Sequence, residues 1–526
     1  MPLQPDPFDL HVVGRILEIA TPATPWHRRL WQSGPLQLAR ELLDAGALHG
    51  VGASAMRDMQ SDLHSALHDD TGLGLHANSF RAALPKDARN LTAGSHAWHG
   101  LEAAVEQANP DYLGRWAHRL SGTHAHSAEF VGRRVSAYLL DAGWSATHLH
   151  RWTTYRVKHR SSLITLPDLL REAQEDITKP LRTFTFCAPL ARTPALPRPS
   201  PEGWLTARDA AAWRRREIPT AQPVRQYGAV LVTVDAGDIY SAAELVRSRL
   251  SDLAVRFAVG GRRQMEFAAD MWAAGRPDPL PTAGSPRRVE VNAFERLERL
   301  FNADVPPTLA SALALLAPLD RGAPPAAVTG AWSAIESMLV GPSDGTNSVA
   351  ASRLALVVAA SQLRAELTVL AWAHARNAAD RLAADITAAS TNGDKARLAQ
   401  RALAAKWKFA VQRDSDRWAL ERLRPLLDDP RKGVLSLQKV LQRVFLRLYR
   451  QRNLIAHGGH TQSASLDATL RLTAPLVGAG VDRLAHALLN DGSPPLALSA
   501  AARIRLETLR PATPSDAGGL VGLLSE

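Results

Sequence analysis

The chain has 526 residues, 46% hydrophobic and 21% charged, which is enough apolar material for about two to four domains of ~150 residues each. A single cysteine, Cys187, excludes an intramolecular disulfide framework and a cysteine-rich zinc site. The net charge of +11, carried mainly by arginine, favours polyanionic partners such as RNA, DNA or an anionic surface, although a GC-rich genome would raise Arg and Ala together. Ala, Leu and Arg dominate and β-branched runs are few, so the fold class is expected to be mainly α. Met1-Pro2-Leu3-Gln4-Pro5-Asp6 lacks a basic segment followed by an apolar one, and no uninterrupted apolar stretch reaches the ~18 residues of a membrane span. A cytoplasmic protein without a membrane partner is expected.

Residues 1–188 read as a helical N-terminal region. Helices are predicted over Pro35–Ala45, with Gly46 as the stop, over Ala53–His68 and over Phe130–Ala142, with a new start at Ser145. Fourteen of the eighteen histidines lie before residue 160, including the pairs His64/His68, His96/His99, His124/His126 and His148/His150. Some of these spacings could place two imidazoles on one helical face, but no well-placed carboxylate completes a metal site. The prolines of 189–203 suggest a linker or a long surface loop.

A small α/β subdomain is expected over 204–290. Tyr227–Val234 is apolar and β-branched, a turn follows at Asp235-Ala236-Gly237-Asp238, and Ser241–Leu253 is an amphipathic helix. Arg288–Val291 reads as a further strand. The Asp235/Asp238 pair could hold a divalent metal, against the simpler reading of a hydrogen-bonded turn. No phosphate-cradling glycine loop follows the strand. From 292 to 490 the pattern is helical again: Gly330–Val340, Ser348–Ala384 with one possible break, Lys395–Ala405, Asp414–Leu423 stopped by Pro425, a run from Val434, and Leu466–Leu489. Residues 491–526 are expected to be a C-terminal tail, poorly ordered from Pro511.

The most informative stretch closes the run from Val434. Leu437, Val440, Leu441, Val444, Phe445 and Leu448 trace one buried stripe. Four residues on, where the stripe calls for an apolar side chain, stands Arg452. Asn453 and His457 share a face at i, i+4, with Tyr449 one turn earlier. Gly458-Gly459 ends the helix and leaves His457 in its last turn, at the negative end of the dipole. Spacing alone carries little: 54 arginines and 18 histidines give about two chance Arg-x-x-x-x-His matches. The other occurrence, Arg119/His124, has no adjacent Asn and no preceding stripe and is read as chance, as is Arg89-Asn90 with His96.

In this setting, residues of about 300–490 resemble the HEPN family of helical domains found in bacterial toxins, abortive-infection proteins and RNA-guided ribonucleases. Arg452, Asn453 and His457 match the family's Arg–polar–(three to five residues)–His motif. Trp332–Leu339 resembles its first helix, with Glu336 as the acidic residue, and Ser352–Leu356 resembles the next. Residues 1–290 are not covered. The resemblance implies an all-α HEPN-like bundle and a metal-independent endoribonuclease with no cofactor. Arg452, Asn453 and His457 would be catalytic, with Glu336 and Tyr449 supporting. It further implies an RNA substrate and a homodimer through the C-terminal domain, two motifs facing one cleft. A role in anti-phage defence or as a toxin follows, with a trigger or regulatory partner acting at the N-terminal region. The alternative is a catalytically inactive HEPN protein that binds nucleic acid or a partner protein.

Overall fold

The computed structural model describes residues 6–21, 23–29, 32–48, 51–68, 70–122, 125–158, 165–192, 201–220, 227–260, 265–302, 304–458, 464–510 and 519–524, with only the backbone of 457, 458 and 464. The protein is mainly α with one small antiparallel sheet. Its contacts gather into two compact units, one of Met1–Tyr138, Ser162–Asp168 and Arg287–Glu526, the other of Leu139–Ser161 and Leu169–Pro286. This grouping cuts across the composition-based boundaries, because the N-terminal helices share a core with the C-terminal ones.

The smaller unit is built on strands β1 (Arg182–Arg192), β2 (Trp204–Thr206), β3 (Gly228–Ala236), β4 (Glu266–Phe267), β5 (Asp270–Ala273) and β6 (Leu280–Pro281). They pair in the order β2-β3-β1-β5-β6, and β4 also pairs with β1. The register sets Phe184 opposite Val234, Phe186 opposite Val232 and Ala188 opposite Val230. Alternation then sends Phe186, Ala188, Val230 and Val232 to one face, among Val246 and Leu250 of helix Ile239–Gly260. Cys187, Ala229 and Trp272 go to the other, among Ala210 and Trp213 of helix Ala207–Glu217. Two expectations are corrected. The stretch taken as the start of a linker is the end of β1, since Pro189 sits opposite Ala229 and its carbonyl accepts from Ala268 N at 2.8 Å; residues 193–200 of that linker lie outside the described residues. Arg288–Val291 is not a strand: Arg288 has a φ of 63°, which breaks an extended run, and Val289 N bonds Asp320 Oδ1 at 3.2 Å.

In the larger unit, helix Val349–Asn377 lies at the centre, packed against helices Pro324–Leu339, Asn392–Ala404, Pro430–Gly458, Ala464–Asp491 and Pro495–Glu507. By length and composition it could cross a membrane, but 72% of its most apolar window is buried against these neighbours. The break expected within 348–384 falls at 378–380, where Asp380 caps helix Arg381–Ala388 through Ala383 N. Helix Asp414–Asp428 continues through Pro425 instead of stopping there. Gly46 lies within helix Pro35–Ala47, and a Cβ there would come within 2.4 Å of the Leu91 carbonyl oxygen, so it serves close packing rather than termination. The C-terminal tail is not loose throughout: Pro495–Glu507 is helical, and Leu520, Val521, Leu523 and Leu524 are buried. Residues 511–518 lie outside the described residues.

The two ends of the chain meet in a buried ionic cluster. Arg28 donates to Glu366 Oε1 from Nε at 2.8 Å and from Nη2 at 2.5 Å, and to Asp416 Oδ1 at 2.9 Å. Arg15 binds Glu129 and Glu18, each at 2.8 Å, while Arg422 reaches Glu129 at 3.4 Å and Glu366 at 3.9 Å. Beside it, His11 stacks on Trp418 at 4.7 Å. Removing one partner from such a buried set strands the other's charge. His27 is also enclosed, its Nε2 3.8 Å from Glu366. Burial pushes its pKa down to about 4, ahead of the opposing pull of Glu366. Because Arg28 already neutralises Glu366 at shorter range, His27 is neutral at neutral pH.

A histidine near 6.5 when unfolded and near 4 when folded binds fewer protons in the folded state between those values. Its contribution is complete above about 6.5 and is lost as the pH falls toward 4, by up to roughly 3 kcal/mol. Burial would raise Glu129 and Glu366, but their cationic neighbours outweigh it and hold both below the ordinary 4.5, so their contribution is lost at still lower pH. Urea denaturation between pH 7 and 4 should show stability falling with acidification, and His27→Gln should flatten the slope. An unchanged slope in the variant would mean that His27 takes up its proton at the same pH in the folded protein as in the unfolded chain.

Candidate functional site

The helix that carries the motif runs from Pro430 to Gly458. Asp429 Oδ1 accepts from Lys432 N at 3.1 Å in its first turn, capping the helix start. The apolar stripe faces inward as expected. Leu441, Val444, Phe445 and Leu448 are buried, and Leu437 and Val440 are half-buried. This side meets helices Val349–Asn377, Pro324–Leu339 and Ala464–Asp491.

Sequence reasoning missed a second buried stripe, made of arginine. Arg447 and Arg450 are 4% and 7% exposed, and Gln451 is 3% exposed. Arg447 donates to Ser33 Oγ and to Glu41, both of which are buried with it. Arg450 donates to Asp62 Oδ2 at 3.0 Å, and Arg443 approaches the same carboxylate at 3.5 Å. Burial pushes the carboxyls of Glu41 and Asp62 up, against the pull of these arginines. Ser33 and Glu41 precede or lie in helix Pro35–Ala47, and Asp62 lies in helix Ala53–Leu67, so the N-terminal helices clamp the motif helix. The available signal was the spacing of Arg443, Arg447 and Arg450 at four and three residues, a helical stripe in its own right. Without knowledge of the partner carboxylates, such a stripe reads as a solvated face.

Arg452 is held differently. Its Nη2 lies 3.5 Å from Glu336 Oε2, and its side chain keeps 24% of its exposure. Its Nη1 donates to Asn453 Oδ1 at 3.0 Å. Glu336 comes from helix Pro324–Leu339, one turn after Trp332, whose ring packs against Tyr449 at 4.7 Å. Among the described residues, the buried Glu336 Oε1 and Trp332 Nε1 have no hydrogen-bond partner. The structure therefore brings together Arg452, Asn453, Glu336 and Tyr449. The backbone of His457 continues the same helix, one turn beyond Asn453; its side chain, like Gly459, lies outside the described residues.

Among the described residues, the other sequence candidates do not assemble a site. Asp238 is a buried cap: it accepts from Tyr240 N at 2.8 Å, Ser241 N at 2.9 Å and Ser145 N at 3.1 Å. Asp235 turns instead to Thr183 Oγ1 at 2.6 Å. The turn reading accounts for both residues. Arg89 pairs with Asp87 on the surface at 2.6 Å, and His124, of the Arg119/His124 match, lies outside the described residues. Of the paired histidines, His99 stands 3.5 Å from Glu102, and among the described residues no three His, Cys, Asp or Glu side chains could hold a metal ion.

The contrast among the arginines gives a stability test. Arg447→Ala should cost about 3–5 kcal/mol by leaving Glu41 buried without its cation, whereas Arg452→Ala should cost less than about 1 kcal/mol because its pairing is long and partly solvated. Urea denaturation of both variants checks the difference; equal losses would make Arg452 a structural arginine like its neighbours.

Compared with protein-family models, with curated proteins and with solved structures, the chain matches none.

Proposed function

We propose that this protein is a metal-independent endoribonuclease of the HEPN type, acting in anti-phage defence or as a toxin. The observation that carries this reading is the division among the arginines of one helix. Arg447 and Arg450 are buried in ion pairs, while Arg452, two residues on, is loosely held and partly exposed. A guanidinium left in reach of a ligand, steadied by Glu336 and by Asn453, suits the charge of a phosphorane.

In the proposed reaction the ribose 2′-OH loses its proton and attacks the adjacent phosphorus. The bond to the 5′-oxygen breaks, and that oxygen is protonated as it leaves, giving a 2′,3′-cyclic phosphate and a 5′-OH end. Arg452 stabilises the charge on the non-bridging oxygens, Asn453 orients the guanidinium or the phosphate, and His457 exchanges a proton. Glu336 fixes Arg452, and Tyr449 braces the Glu336 helix through Trp332. One histidine cannot serve conveniently as both base and acid in a single in-line step, so two motifs from a homodimer would share one cleft. The clamp of the N-terminal helices on the motif helix offers a route by which a trigger bound there reaches the site.

Cleavage of RNA should proceed in excess chelator and leave cyclic-phosphate ends. Arg452→Ala should slow it about 10²–10³-fold and His457→Ala about 10²–10⁴-fold, both with the fold retained by circular dichroism. Asn453→Ala should act in the same direction. Salt-sensitive RNA binding without turnover, indifferent to these substitutions, would instead identify a non-catalytic binding protein.

A further inference from the structure

Seven arginines in the described structure are at least nine-tenths buried: Arg15, Arg28, Arg134, Arg214, Arg447, Arg450 and Arg483. Arg15, Arg28, Arg134, Arg447 and Arg450 each meet a carboxylate, and Arg214 lies over the Trp272 ring at 4.3 Å. Arg483, 7% exposed on helix Ala464–Asp491, has neither kind of partner among the described residues. Its Nη1 meets His486 Nδ1 at 3.1 Å, and its Nε and Nη2 are buried with no hydrogen-bond partner among the described residues. A buried guanidinium with two unused donors is costly unless an anion completes it.

The surroundings are cationic. Arg364 of the central helix and Arg296 both bear on Arg483, and after burial itself Arg364 is the strongest influence lowering its pKa, to about 10. Of the nearby acids, Asp482 is engaged by Arg296 at 2.7 Å and, as the preceding residue, points about 100° away round the helix; Asp491 is two turns on. His486 is pushed down to about 4 by burial and then by Arg483, so it is neutral at pH 7. A neutral ring whose Nδ1 accepts from Arg483 carries its hydrogen on Nε2, as a further donor.

We propose that Arg483 and Arg364, with His486 beside them, form a binding site for one phosphate-class oxyanion. Two guanidinium groups and an imidazole N–H are the donor set such an anion takes. Arg483 stands about 28 Å along its helix from Ala464, where that helix leaves the motif end. The site is therefore separate from Arg452 and does not rest on the ribonuclease reading.

The test is titration calorimetry of the full chain with inorganic phosphate at pH 7.5 in chloride buffer of constant ionic strength. Saturable binding at one site per chain is expected, weakened about tenfold or more by Arg483→Met through loss of a charge-assisted pair. Should that variant not fold, Arg364→Gln, at a half-buried position, is expected to weaken binding in the same direction. A parallel titration with a 5′-phosphorylated dinucleotide separates the sources: tighter binding than inorganic phosphate assigns the site to a nucleic-acid end, equal or weaker binding to the free ion. No saturable phosphate binding by the wild type, or unchanged affinity in a folded variant of either arginine, overturns the proposal.

Discussion

Two buried ion pairs, Arg447 with Glu41 and Arg450 with Asp62, set the position of the motif helix. They join residues 406 and 388 positions apart in sequence, and each holds a guanidinium that could not remain in the interior without its carboxylate. Because Arg447 and Arg450 lie off the line of the apolar stripe, the helix is held by ion pairs as well as by apolar packing. Its register along the N-terminal helices is fixed by geometry as well as by packing, since a shift of one residue would part both cations from their acids.

The same logic repeats at the other contact between the two ends of the chain. Arg28 is shared by Glu366 and Asp416, Arg15 by Glu18 and Glu129, and Arg422 bridges the two groups. Charge there is matched well enough to keep the glutamates ionised, whereas the enclosed His27 gives up its proton. Apolar contacts supply most of the driving force, in particular around the Val349–Asn377 helix. The ionic clusters select which helix faces may meet.

Against this background the loosely held Arg452 and the incompletely partnered Arg483 are exceptions. Local consistency elsewhere in the core makes such departures informative, because a protein that pairs Arg15, Arg28, Arg447 and Arg450 inside has the means to pair these too. One sits at a helix edge with Asn453 and Glu336, the other between helices with Arg364 and His486. Both present cationic donors where an anion can complete them.

By itself the sequence determined the helical character of the chain, the apolar stripe of the motif helix, and the interruption of that stripe by Arg452. These follow from local periodicity, which a single helix expresses wherever it packs. It also carried the Glu336 helix and, through its apolar β-branched run, the strand β3. It did not disclose β1, because Pro189 and the prolines beyond it read as a linker, nor the irregular course of Arg288–Val291, nor the helix Pro495–Glu507 in the expected tail. Above all, tertiary structure decided which arginines are structural. Arg452 stands out in sequence by breaking the apolar stripe, but Arg443, Arg447 and Arg450 read alike as a solvated face, and only the arrival of Glu41 and Asp62 from distant helices buries two of them while Arg452 stays partly exposed. A carboxylate's distance in space is not encoded in the spacing of its partner's neighbours.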